Sequence, residues 1–396
     1  MTKGYGEREE GISRRGFLKS AGAFAAFGAI AASPGSLAGL LQRLSAAGAA
    51  REPLDAADSS ETLVPPDSFS IFWITDTQFL SESNPALFKK MTNWIVDNWG
   101  PYNGKMVIHT GDIVEDGGVE KEWINADEAM SVLLNNGIPY TWCAGNHDDL
   151  TNGDQSSGWK GDLWSFAFNP SIVENAVNQL GYAEWAGDNH NGMNTAVSFT
   201  ANGLDFLVVN LEWRGDSSVL EWVRSLLDDP AYANHYVIVA PHAYINALGS
   251  LTDPRWYSDL AEFIAGLTPI LDEHSSNIFL TLNGHFATDC GYNTPTMVNG
   301  RSQLMFDRQD MLDKSPSPLG RGVDEPNSGA TDDLKVGGAT VTILTFEIGL
   351  NQISVKTYDT YKDKWRDDPY EQYTIPMFVP APSGHGRITP FVAQVS

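Results

Sequence analysis

Hydrophobic and polar positions change period along this chain, and each change marks an element. Phe69 to Thr75 is a β-rich apolar run; beyond Asp76-Thr77-Gln78, the pair Asn84-Pro85 supplies a cap with proline at the first helical position. Leu87, Met91, Trp94, Ile95 and Trp99 then recur at helical spacing. Met106 to Thr110 predicts a second strand closing in Gly111-Asp112, and Trp123, Ala126, Met130, Leu133 and Leu134 predict a helix that stops at Gly137. Pro139 to Ala144 predicts a third strand, which runs straight into Gly145-Asn146-His147-Asp148. Strands alternating with helices argue for βαβ units and a largely parallel sheet.

Residues 149–195 are rich in Gly, Asn, Asp and Trp, including Trp159, Trp164 and Trp185. So long a segment reads either as a substrate-side cap or as a packed excursion with a short helix near Ile172 to Leu180. Ala196 to Thr200 and Leu204 to Asn210 predict a strand pair turned at Ala201-Asn202-Gly203. Ser218-Val219-Leu220-Glu221 makes a capping box for a helix ending before Pro230. Tyr236 to Ala240 predicts a strand ending at Pro241-His242, Asp253-Pro254 opens a predicted helix to about Glu273, and Asn277 to Leu282 runs as a strand into Asn283-Gly284-His285. Thr340 to Ile348, Gln352 to Tyr358 and Tyr370 to Ile375 are β-rich with no helices between them, and are expected to be antiparallel strands completing a second sheet.

The amino terminus has a different character. Ser13-Arg14-Arg15-Gly16-Phe17-Leu18-Lys19 precedes an acid-free, weakly apolar stretch from Ser20 to Ala32, a combination that fits a twin-arginine export signal. Thirteen such residues are too few to span a bilayer, for which about 20 are needed. Small-x-small cleavage sites end at Ala38 and Ala49. The expected organisation is a signal over 1–50, a proline-containing linker over 51–66, one α/β domain over 67–376 and a tail over 377–396, in a protein exported by the twin-arginine route to the periplasm, cell surface or medium. Of the formal net charge of −25, the residues after Ala50 account for −28, with 47 acidic against 19 basic groups. Such a surface excludes nucleic acid as a partner and disfavours a polyanionic substrate. Cys143 and Cys290 exclude a disulfide scaffold and a thiolate zinc cluster; they form one bridge or serve as two packing thiols.

Candidate chemistry gathers at strand ends. Five times an apolar strand stops and a metal-competent side chain follows: Asp76, Asp112, Asn146, His242 and His285. Strands aligned in one sheet would bring these groups together. Oxygen and imidazole donors without thiolate suit Mn, Fe or Zn. A carboxylate such as Asp112 can bridge two cations about 3.5–4 Å apart, the arrangement that activates water and steadies the leaving oxygen in phosphoester hydrolysis. His147, next to Asn146, could donate a proton to the departing alkoxide, oriented by Asp148 or Asp116. His109 lies inside a strand and reads as structural, while His190, His235 and His274 receive no role.

Taken together, Asp76-Thr77-Gln78, Gly111-Asp112-Ile113-Val114-Glu115-Asp116, Gly145-Asn146-His147-Asp148, His242 and Gly284-His285 resemble the blocks of the calcineurin-like metallophosphoesterases over about residues 68–375. The resemblance implies an α/β fold: a four-layer α/β/β/α sandwich, two central mixed sheets flanked by helices, with a dinuclear centre between the sheets. It places Asp76, Gln78 and bridging Asp112 at a first metal, Asn146, His242 and His285 at a second, and His147 as acid. Metal-bound hydroxide would then attack a small phosphomonoester or phosphodiester. Two departures fall on the first metal, because Gln78 stands where the family has histidine and Gly284-His285-Phe286-Ala287 lacks the second histidine of Gly-His-x-His. That position would bind loosely, use a replacement such as Asp289 or Asp307, or stay empty. Gln303 to Gln309 resembles a block of exported, sequence-divergent members that also lack the second histidine. Folded-state export would allow metal loading in the cytoplasm. The alternatives are a mononuclear or degenerate-site protein that binds a ligand without turnover, and an acidic cell-surface interaction protein using segment 149–195.

Overall fold

Every residue of the strand β1 (Ser68–Ile74) is buried, because its two faces meet different layers. On one face Phe69 stacks on Phe346 and meets Phe199 and Phe206 edge-on; on the other Phe72 stacks on Trp99 beside Trp94 and Tyr102. Each such aromatic pair is worth about 0.5–1.5 kcal/mol beyond its buried area. The computed structural model describes residues 62–149, 161–251, 258–286, 295–309, 338–367 and 369–377, all within the unit Arg51–Ser396. The export signal, the linker up to residue 61, Trp159, Asp253-Pro254, Ala287, Asp289, Cys290 and the tail beyond Met377 lie outside the described residues.

After β1 come a short helix α1 (Gln78–Ser83), which the apolar pattern did not announce, and α2 (Pro85–Trp99), which begins at its proline. β2 (Gly104–His109), α3 (Glu120–Asn135) and β3 (Tyr140–Trp142) complete two βαβ units, with β1, β2 and β3 parallel. The segment expected to be a long excursion contains α4 (Gly161–Trp164), α5 (Pro170–Val177) and a strand, β4 (Ala183–Asn189), whose Trp185 packs on Trp142. β5 (Asn194–Ala201) and β6 (Leu204–Leu211) form the expected hairpin; Asn202 and Gly203 both have positive φ, as a two-residue type I′ turn requires. In α6 (Ser217–Leu227) the cap is Asp216 rather than Ser218, because its carboxylate already accepts the amides of Ser218 and Val219. β7 (Tyr236–Pro241), α7 (Ser258–Glu273), β8 (Ile278–Asn283), β9 (Thr296–Val298) and β10 (Arg301–Met305) follow. β11 (Thr340–Glu347), β12 (Gln352–Asp359), β13 (Lys364–Arg366) and β14 (Gln372–Pro376) close the described chain.

Among the described residues these strands form two mixed sheets. The first runs β13-β12-β11-β1-β2-β3 with β14 also on β12, and the second β4-β5-β6-β7-β8-β10-β9. The C-terminal strands therefore do not complete the second sheet. β11 pairs antiparallel with β1 from Ser68↔Glu347 to Trp73↔Thr342 and extends the first sheet, while the second is drawn from the middle of the chain. Alternation along β6 defines the layers: Phe206 and Val208 join the core between the sheets, whereas Leu207, Val209 and Leu211 pack with Val219 and Val223 of α6 and Phe263 and Leu267 of α7. With α2 and α3 on the outer face of the first sheet, the order is α/β/β/α. Phe69, Phe206, Tyr236, Phe279 and Phe346 fill one end of the inter-sheet core. The carboxyl ends of β1, β2, β3, β7 and β8 lie at the other.

Candidate metal centre

The loops at that end are built around close backbone approach. Gly111 has φ +94°, a region closed to other residues, and its carbonyl accepts from Asp76 N at 3.0 Å. A Cβ on Gly111 would lie 2.7 Å from His242 Nδ1 and 2.8 Å from Gly145 N, and one on Gly145 would run into the Asp112 carboxylate. Asp76, Asp112 and His285 take left-handed φ values of 50°, 51° and 76°. Such conformations cost on the order of 1–3 kcal/mol each and collect at functional sites, where the surrounding structure enforces them.

Asp112, Asn146, His242 and His285 come together, but from two sheets rather than one: β2 and β3 deliver the first pair, β7 and β8 the histidines. One ligand atom each of Asp112, His242 and His285 lie within 4.8 Å of one another. His242 Nδ1 donates to the Thr110 carbonyl at 2.8 Å, and burial holds this imidazole below its usual pKa, against the pull of Asp112. With Nδ1 donating, a neutral ring turns the Nε2 lone pair toward Asn146 Oδ1 at 3.2 Å and Asp112 Oδ1 at 3.4 Å. Three acceptor atoms converge there. That is an arrangement a divalent cation stabilises, and the donor set fits Mn, Fe or Zn.

Beside it lie Asp76 and Gln78, the residues expected at a first cation. Asp76 is 1% exposed and sits at the end of a donor chain from Trp73 through Thr110 and Thr75, the last bond being Thr75 Oγ1 to Asp76 Oδ2 at 2.5 Å. His285 N donates to both of its oxygens, at 3.0 and 3.3 Å. Burial, then the charges of Asp307 and Asp112, push its pKa well above the carboxylate range. Gln78 is fully buried, donates through Nε2 to Asp112 Oδ2 at 3.3 Å, and leaves its Oε1 without a hydrogen-bond partner.

His147 is oriented by a residue the apolar pattern did not single out. Its Nδ1 lies 3.0 Å from the Glu115 carbonyl and 3.3 Å from Glu115 Oε2, and its N–H donates to Asp112 Oδ1 at 3.0 Å. Burial opposes its charge, but Asp112 and Glu115 outweigh it and raise the imidazole to about 9. Asp148, expected to orient His147, has both oxygens engaged by backbone N–H groups, those of Ile113, Val114 and Gly145 at 2.7–2.9 Å. It ties the Gly111-Asp112 loop to the Gly145 loop, with its pKa pushed up to about 8 by burial and by Asp112. Asp116 caps Gly118 N instead of reaching His147. His109 is fully buried and accepts from Gly111 N, so its other nitrogen donates to Thr77 Oγ1, in keeping with a structural role. Cys143 is a buried free thiol.

Two further groups flank the centre. Trp213 stacks near His285, with centroids 4.1 Å apart, and near His242 at 5.7 Å. Its neighbour Glu212, 1% exposed, meets His190 Nδ1 at 2.7 Å, and His190 Nε2 meets Ser218 Oγ at 2.9 Å. The Glu212 hydrogen bond raises the His190 pKa. The signal for both was present in Leu211-Glu212-Trp213, another apolar strand ending in polar and aromatic residues.

Residues 69–272 match the family model of the calcineurin-like phosphoesterases, more than half of the chain. An uncharacterized protein of Bacillus subtilis (strain 168), YvnB, is 30% identical over 225 residues, which is 56% of this chain but only 16% of that protein. Among solved structures, a purple acid phosphatase from yellow lupin (Lupinus luteus) seeds aligns with TM-score 0.45 at 14% identity, covering 78% of this chain and 54% of that one. GAP50, the anchor in the inner membrane complex of Plasmodium, aligns with TM-score 0.44 at 14% identity, over 78% and 88% of the two chains.

Proposed function

Since the chain belongs to the calcineurin-like phosphoesterase family, we propose that it is an exported hydrolase that cleaves a small phosphomonoester or phosphodiester at a two-cation centre. The observation that carries this reading is the convergence of Asp112 Oδ1, Asn146 Oδ1 and His242 Nε2. Two divalent cations, when bound, supply an activated water and offset charge on the phosphoryl oxygens. Asp112, Asn146, His242 and His285 would hold one of them, and Asp76, Gln78 and Asp112 the other. Thr110 fixes the tautomer of His242 through its carbonyl, and Trp213 packs against the rings of both histidines. His147, its pKa raised to about 9 by Asp112 and Glu115 and its side chain 22% exposed, would give a proton to the departing alkoxide, with Glu115 setting its ring. A surface at −28 beyond Ala50 supports a substrate of low charge over a polyanion.

Export rests on the Arg14-Arg15 segment, and no helix among the described residues is long and apolar enough to cross a membrane. The test is hydrolysis of aryl phosphomonoesters and diesters by the purified chain with Mn or Fe added. Asn146→Ala and His242→Ala should each abolish it. Retained hydrolysis in either variant would sink the assignment.

A further inference from the structure

Gln78 presents an unusual arrangement for an interior amide. Its nitrogen is spent on Asp112 Oδ2, while its Oε1 is enclosed by protein without a donor. A buried acceptor left unpaired costs about 1–3 kcal/mol, so the position is one that a cation would relieve. Asp307 approaches the same place from the second sheet. Parallel pairing sets Met305 opposite Asn283, and Phe306 N donates to the Asn283 carbonyl at 3.0 Å, so Asp307 comes off β10 alongside Gly284-His285. His285 N in turn holds Asp76. Asp307 is 1% exposed, and among the charges acting on Asp76 it ranks ahead of Asp112. The next residue, Arg308, donates to Glu371, Thr342 and Thr357 with its guanidinium 3.9 Å over the Phe306 ring, and Gln309 N donates to Asp307 Oδ1 at 3.0 Å. Asp307 is thus brought, buried, to the His285 side of Asp76, while Gln78 Oε1 stands without a donor beside Asp112.

We propose that Asp307 stands in for the missing imidazoles at the first cation position, which becomes an all-oxygen site of Asp76, Gln78 Oε1, Asp112 and Asp307. This rests on the two-cation reading and sharpens it, because the two positions then differ in chemistry. Oxygen donors alone favour hard cations such as Mn²⁺, Mg²⁺ or Ca²⁺, whereas the neighbouring position, with two imidazoles, also takes Zn²⁺ or Fe.

The test is metal stoichiometry on the full chain, stripped with chelator and titrated with Mn²⁺ alone, read by elemental analysis and Mn²⁺ electron paramagnetic resonance. The wild-type chain should take two Mn²⁺. Asp307→Asn, similar in size, should weaken one by about tenfold or more and leave the other in place. His242→Ala should do the converse. Gln78→His, which restores an imidazole, should shift the first position toward Zn²⁺ in competition with Mn²⁺, and it decides the matter if Asp307→Asn does not fold. Two Mn²⁺ held with unchanged affinity in Asp307→Asn, no more than one in the wild-type chain, or an unaltered Zn²⁺ preference in Gln78→His would overturn the proposal. Two Mn²⁺ bound without hydrolysis of any aryl phosphate would instead remove the phosphoesterase reading and leave the site standing.

Discussion

Gly111→Ala tests whether the close-packed loops, rather than the ligands alone, make the centre. Two penalties follow from the structure. An alanine at φ +94° sits outside the ordinary left-handed basin, costing about 1–2 kcal/mol in backbone strain. Its Cβ, 2.7 Å from His242 Nδ1 and 2.8 Å from Gly145 N, is inside the 3.0 Å that real Cβ atoms respect, so the imidazole and the Gly145 loop must both retreat. His242 cannot do so freely, because its Nδ1 holds the Thr110 carbonyl at 2.8 Å. Backbone strain alone should therefore cost the metal-free variant about 1–2 kcal/mol in urea unfolding, and the retreat of His242 adds to it. A tenfold weaker cation affinity would remove about a further 1.4 kcal/mol of stabilisation under saturating Mn²⁺. The assay is the pair of unfolding curves, with and without Mn²⁺, for wild type, Gly111→Ala and the control Gly349→Ala, whose added Cβ meets open space. An equal loss with and without Mn²⁺ would refute the link from this glycine to His242.

His147→Asn should lower kcat by about 10²–10⁴ for an alkyl ester and far less for a p-nitrophenyl ester, whose leaving group needs no proton; equal losses would argue against an acid role. The His190 pKa is raised, chiefly by its hydrogen bond to Glu212, so the stability it lends is complete below its unperturbed value of about 6.5 and declines as pH climbs through the raised folded-state value. The stability gap between wild type and His190→Asn should accordingly be widest in acid and narrow toward alkaline pH, and a gap that widens instead would contradict the pairing. Glu371 is fully buried and bonds Arg308 Nε at 2.9 Å, so Glu371→Ala should cost about 3–5 kcal/mol by stranding the guanidinium. A loss under about 1 kcal/mol in denaturant titration would show that Arg308 finds other partners.

The features legible in the amino-acid sequence are local ones. Asp76, Asp112, Asn146, His242 and His285 each come within four residues of the end of an apolar strand, and a strand end restricts where the next side chains lie. Which sheet a strand joins is a long-range matter, and there the apolar pattern has no purchase. β11 and β12 look alike from their composition whether they extend the first sheet or build the second, and β4, half-exposed at an edge, shows no alternation at all. Glu115 escapes for a related reason: its reach to His147 depends on a turn whose Glu115 and Asp116 amides are held by Glu122, from the first turn of α3. Glu212 and Asp307 are different. Each follows an apolar strand run as closely as the five recognised residues do, one at β6 and one at β10. Strand ends therefore point to seven polar groups at one edge of the sandwich, and the two beyond the five divide by charge. Glu212 is engaged by His190, whereas Asp307 adds negative charge to the Asp76 side of the centre. Removal of Glu212, whose Oε1 is bonded to His190, should change the pH dependence of stability, whereas removal of Asp307, on the Asp76 side, should change metal content.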